Sequence, residues 1–153
     1  MAADYSQRMS CELCGDIAKT GDVVFEDEQT FVVLHNDWAV LGHAMIVAKR
    51  HVENPSDLDE REWLHFAGVW QRAERVLREL TKADRVIALK LGLKTPHLHV
   101  HLYPVSGKTT RDEVFDMINM KVSVARDEAL VLDTIRGLNE HSFGNGPNRN
   151  HHS

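Results

Sequence analysis

Cysteine is nearly absent from this chain: its 153 residues hold two, Cys11 and Cys14, separated only by Glu12 and Leu13. Two thiols this close together cannot build the disulfide framework of a small secreted domain. A CxxC pair points instead to metal or redox chemistry. Long apolar runs are missing too. None approaches the roughly 20 residues needed to cross a bilayer, and the N-terminus lacks the basic-then-apolar pattern of a secretory leader. These absences set the expectation of a cytoplasmic protein with no membrane partner. Nor is there an excess of basic charge, since 18 Lys and Arg face 23 Asp and Glu for a net charge of −5. Broad attraction to nucleic acid is therefore not expected, and any bound phosphate must be handled by local groups.

What is present is an ordinary globular composition, 42% hydrophobic and 27% charged. The length suits one domain with a real core and not two. Residues 1–10 carry no periodicity and read as a loose lead-in, and residues 11–15 as a short knuckle. Val23-Val24-Phe25-Glu26 and Thr30-Phe31-Val32-Val33-Leu34, joined by Asp27-Glu28-Gln29, form a β-hairpin pattern. A third strand is expected over 43–48, leaving at Lys49-Arg50-His51. Trp63, Phe66, Ala67, Trp70, Ala73, Leu77 and Leu80 recur at helical spacing, so a long helix is expected near 59–82, with Ser56 or Asp59 as its cap. Its aromatic stripe reads as core packing or a dimer seam. A fourth strand follows at 85–91 and a fifth at 97–104. The expectation is an α+β fold: an antiparallel sheet of about five strands, one long helix packed on it, and C-terminal helices near 110–118 and 126–138. The domain itself is expected over 11–105, a helical extension over 106–140, and a disordered Gly-, Asn- and His-rich tail over 141–153.

The fifth strand carries the chemistry. In Pro96-His97-Leu98-His99-Val100-His101-Leu102-Tyr103-Pro104, alternate side chains point to opposite faces. Leu98, Val100 and Leu102 suit a core, whereas His97, His99 and His101 line the other face. Imidazole titrates near neutrality and can act as nucleophile, acid, base or metal ligand. Three such rings could themselves converge on one catalytic zinc ion.

This stretch resembles the histidine-triad (HIT) family of nucleotidyl hydrolases and transferases, whose signature is His-x-His-x-His followed by apolar positions. The resemblance extends over about residues 11–104, and the CxxC pair places it with the zinc-bearing branch. It implies that Cys11, Cys14, His51 and His97 hold one structural zinc ion. It implies that His99 is the nucleophile toward the α-phosphorus of a nucleotide, dinucleoside polyphosphates among the candidates, through a covalent nucleotidyl-imidazole. His101 would touch phosphate oxygens, and His43 would steady the phosphate or leaving group. Two departures bear on the substrate. The family's Gly-Gln-Ser/Thr loop is reduced here to Leu93-Lys94-Thr95-Pro96, leaving Lys94 and Thr95 to supply a charge and a hydroxyl. Where the family sets Asp or Asn against ribose, His35 stands, followed by Asn36 and Asp37. The resemblance further implies a homodimer through the long helix and the fourth strand. A non-catalytic nucleotide-binding module is the alternative that the shortened loop supports.

Overall fold

The computed structural model describes residues 11–140. The expected lead-in at 1–10 and the expected tail at 141–153 lie outside the described residues. Five strands form one antiparallel sheet: β1 (Gly21–Glu26), β2 (Thr30–His35), β3 (Ala44–Ala48), β4 (Arg85–Leu89) and β5 (His99–Val105), in the order β1-β2-β3-β5-β4. The β1–β2 turn is set by Asp27. Its Oδ1 accepts from the backbone N–H groups of Gln29 and Thr30, each at 2.8 Å, and from the Thr30 hydroxyl at 2.7 Å. A carboxylate that satisfies its own turn in this way directs the chain back on itself.

The long helix, α1 (Glu60–Thr81), begins at Asp59, not Ser56. The Asp59 side chain accepts from Glu62 N–H, and the Glu62 carboxylate accepts from Asp59 N–H, a reciprocal capping box. It ends where Lys82 turns left-handed at φ 60°. Two shorter helices follow, α2 (Arg111–Ile118) and α3 (Glu128–Asn139). The fold is the expected α+β arrangement, with differences of one or two residues at most ends. The one that matters is β5, whose ladder starts at His99, two residues after His97.

The two faces of the sheet bury different things. One face carries Val32, Leu34, Ile46, Val100 and Leu102, which pack on Phe66, Val69, Ala73 and Leu77 of α1 and on Leu130, Val131 and Leu138 of α3. Each such side chain taken from water contributes about 1.5–3 kcal/mol. Leu77 and Ile46 have no exposed surface at all, so this face anchors the fold. Trp63 and Trp70 of the aromatic stripe stay outside the buried core, Trp63 at 37% exposure and Trp70 packed only at its margin. The opposite face carries Val33, Met45 and Val47 under Leu13, and further along the sheet Tyr103 and Val105 with Ala39. Period-two alternation puts the β5 histidines on this second face, beside Met45 and Val47 of the neighbouring strand.

Candidate functional site

Two sites are built along β5 and the two residues before it. The first gathers residues far apart in sequence. Cys11 and Cys14 come from the N-terminal knuckle, where Cys14 N–H donates to the Cys11 carbonyl at 3.2 Å. His51 lies just beyond β3, and His97 two residues before β5. One donor atom from each lies within 4.8 Å of all the others. His97 Nδ1 stands 3.5 Å from Cys11 Sγ, 3.4 Å from Cys14 Sγ and 3.1 Å from His51 Nδ1, and Cys14 Sγ stands 3.0 Å from His51 Nδ1. Bond lengths of about 2.0–2.3 Å to a tetrahedral ion give edges of roughly 3.3–3.8 Å. The donor set therefore fits a metal ion.

The ring of His97 is prepared for that task. Its Nε2–H donates to the Ala48 carbonyl at 2.5 Å, which leaves the Nδ1 lone pair aimed at the two sulfurs. Burial, with His51 and His99 nearby, pushes its pKa below the ordinary value against the pull of that carbonyl, so the ring is held neutral. Arg50 fixes the adjoining segment, donating through Nε and Nη2 to both Glu62 carboxylate oxygens at 2.9 and 3.0 Å. The three triad rings do not converge on one ion: among the described residues, the cysteine–histidine group is the metal-capable cluster.

The second site is a cleft of about 320 Å³ on the same face of the sheet. His99 and His101 of β5 line it, with His35 from the end of β2 and His43 from the β2–β3 connection. His99 Nδ1–H donates to the His97 carbonyl at 2.6 Å. That bond places the proton on Nδ1 and leaves the Nε2 lone pair available. His43 Nε2 and His101 Nδ1 share a proton across 2.9 Å. In the tautomer that satisfies Ala39, whose N–H donates to His43 Nδ1 at 3.4 Å, His43 donates to His101 and the remaining N–H of His101 stays available. Burial, with His35 and His101 beside it, lowers the pKa of His43 to about 3, against the opposing Asp37 carbonyl. Burial, with His99 and His35 nearby, lowers that of His101 to about 4. Both rings are uncharged at neutral pH and act as hydrogen-bonding groups, not as cations.

Gly42 makes the approach of His43 possible. At φ 81° it occupies left-handed space, and an added Cβ would sit 3.0 Å from Thr81 Cγ2. The imidazoles then stack: His35 lies 4.7 Å from His43 between ring centres, and His43 lies 4.4 Å from Tyr103.

The expected ribose and phosphate groups are distributed unevenly. His35 and Asp37 line the cleft; Asn36, Lys94 and Thr95 do not. The Asn36 amide donates to the Lys19 carbonyl at 2.5 Å, and the Thr95 carbonyl accepts from His97 N–H at 2.8 Å. The cleft also has a wall that sequence reasoning missed, made by Met117, Ile118, Met120, Val122 and Ser123. Its only signal was the recurrence of apolar residues, Met117, Ile118, Met120, Val122 and Val124, interleaved with Asn119, Lys121 and Ser123.

A HIT domain model matches residues 18–108 of the chain. The chain belongs to the HIT family. Solved HIT structures share its fold. A hypothetical histidine triad nucleotide-binding protein from Sulfolobus tokodaii is 24% identical, with a TM-score of 0.65 over 85% of this chain and 93% of that one. A histidine triad protein from Bradyrhizobium japonicum is 22% identical, with a TM-score of 0.67 over 85% and 96%. A zinc-bound histidine triad family protein from Mycobacterium smegmatis is 22% identical, with a TM-score of 0.62 over 87% and 96%. Among the described residues of this HIT protein, no helix is long and apolar enough to cross a membrane.

Proposed function

We propose that this HIT protein is a nucleotidyl hydrolase or transferase that cleaves a nucleoside phosphate derivative at the α-phosphorus through a covalent intermediate on His99. The observation that carries the reading is the 2.6 Å bond from His99 Nδ1 to the His97 carbonyl. It holds the ring proton on Nδ1 so that the Nε2 lone pair faces phosphorus, and it stabilises the positive charge the ring gains on attack. His101 hydrogen-bonds the phosphoryl oxygens through its remaining N–H, His43 steadies it from behind, and His35 and Asp37 flank the nucleoside. Cys11, Cys14, His51 and His97 would hold zinc. Four protein ligands leave no open position, so the ion would be structural, tying the N-terminal knuckle to the residue whose carbonyl positions His99. The proposed assembly is a homodimer, with Trp63, Trp70 and the β4 edge at its seam.

The test is covalent trapping. Wild-type chain mixed with a panel of radiolabelled nucleotide derivatives and quenched in base should retain label on His99. His99→Ala should lose both label and turnover while keeping its melting temperature. Turnover that persists in His99→Ala refutes the assignment. A HIT module that only binds nucleotide is the second reading, favoured by the absence of Lys94 and Thr95 from the cleft wall. It predicts saturable binding without label.

A further inference from the structure

Holding a metal ion is one use of a CxxC pair, and redox chemistry is the other. Cys11 and Cys14 are the only cysteines in the chain. An oxidised sulfur on either can therefore be resolved within the chain only by its neighbour.

The placement of the pair suits such a step. Cys14 is exposed and Cys11 half-buried; a thiolate that solvent can reach reacts with oxidants, whereas one sealed in a core is inert. The two sulfurs are already gathered, because they belong to a group of four donor atoms that all lie within 4.8 Å of one another. Contacts other than the metal also hold their turn. Cys14 N–H donates to the Cys11 carbonyl at 3.2 Å, and the intervening Leu13 is buried with Val33, Met45 and Val47. The sulfurs stay neighbours whether or not an ion joins them.

A disulfide is incompatible with the closed cluster. It requires sulfurs about 2.05 Å apart, whereas two thiolates on one zinc ion, each at about 2.3 Å, occupy separate corners of a tetrahedron roughly 3.8 Å apart. Closing the bond takes both sulfurs from His97 Nδ1, at 3.5 and 3.4 Å, and one from His51 Nδ1, at 3.0 Å. The two rings then fare differently. His97 is buried and keeps its bond to the Ala48 carbonyl. Among the described residues, the His51 ring has no hydrogen bond outside the cluster, so it is released.

We infer that Cys11 and Cys14 form a redox site at which a peroxide-class oxidant closes a disulfide, opening the metal cluster and freeing His51. The inference rests on the reading of the cluster as a metal site. In the step, the Cys14 thiolate attacks one peroxide oxygen and the O–O bond breaks. The departing oxygen keeps the bonding pair, takes a proton and leaves as water. The Cys11 thiolate then attacks the sulfenic sulfur of Cys14, and the S–S bond forms as the S–O bond breaks. That oxygen also takes a proton and leaves as a second water. Two electrons have passed from the sulfurs to the peroxide, and a dithiol reductant returns them by exchange.

The test treats the zinc-loaded wild-type chain with a small molar excess of hydrogen peroxide, which is then removed with catalase. About one zinc per chain should pass to a chromogenic chelator, and both free thiols should disappear together with it. Peptide mapping should find Cys11 joined to Cys14 within one chain. Hydrogen exchange should rise across residues 49–52 and stay unchanged in α1. Dithiothreitol with added zinc should restore thiols, metal and exchange. Zinc and thiols both retained, oxygen added to either cysteine without a disulfide, a disulfide joining two chains, or zinc kept after the disulfide forms would each overturn this inference alone. A chain that binds no zinc at all would overturn the metal reading and this inference with it.

Discussion

Withdrawing the metal from the cysteine–histidine cluster should unpin the N-terminal knuckle and loosen the nucleophile together. The inter-ligand distances of 3.0–3.5 Å come close to the edges of a zinc tetrahedron, so little rearrangement is needed to bind. An ion present at about 1,000 times its dissociation constant stabilises a folded chain by about 4 kcal/mol. For a chain of this size each kcal/mol moves the melting temperature by roughly 2–4 °C. Chelation should therefore lower it by roughly 8–16 °C, read by circular dichroism with and without a strong chelator. Metal analysis of the untreated protein should return about one zinc per chain. Cys11→Ser combined with Cys14→Ser should melt where the chelated wild type melts and ignore the chelator. What still anchors the knuckle is Leu13 packed with Val33, Met45 and Val47, so the sheet should survive. Covalent labelling of His99 should slow, because its Nδ1 partner is the carbonyl of the released His97. A double serine variant that keeps one zinc per chain, or a melting temperature indifferent to chelation, would refute the reasoning.

Two further outcomes concern protons. His43 and His101 titrate near 6.5 when unfolded but at about 3 and about 4 in the fold. Between those values the unfolded chain binds more protons, so stability falls as pH drops from about 6.5 toward 4. In His43→Asn the urea midpoint should fall less steeply across that window; parallel slopes would contradict the assignment. Asp27 acts in the same direction but at lower pH and for a different reason. Burial alone would raise its pKa, but hydrogen bonds from Gln29, Thr30 and His65 together hold it below 3.8. Its contribution is therefore complete above pH 3.8 and lost as pH falls through the lower folded value. Asp27→Asn, which also weakens the 2.7 Å link to His65 on α1, should cost about 1–3 kcal/mol at pH 7. A cost that stays constant into acid would show that the carboxylate charge is not what matters.

Periodicity made much of this molecule readable in advance. Two-residue alternation assigned Leu98, Val100 and Leu102 to one face and the histidines to the other, and helical spacing located α1, with the choice of cap between Ser56 and Asp59 left to the structure. Those are local properties, dictated by backbone geometry and by where apolar side chains recur. The bond from His99 to the His97 carbonyl is local too, spanning two residues. The grouping of Cys11, Cys14, His51 and His97 was proposed from family resemblance, since no spacing rule joins residues 86 positions apart.

The tertiary structure decided what local pattern cannot carry. Asn36, adjacent to His35 in sequence, turns back to Lys19 because its amide finds a carbonyl there, while His35 stays against His43. The loop at Lys94 and Thr95 precedes the triad directly, yet neither residue reaches the cleft wall. In their place stand Met117, from the last turn of α2, and Met120 and Val122, brought across by the segment after it, which has no regular structure. Regular elements announce themselves through a repeating period. A segment lacking one takes its place from the surface it covers, and that surface exists only once the sheet has formed.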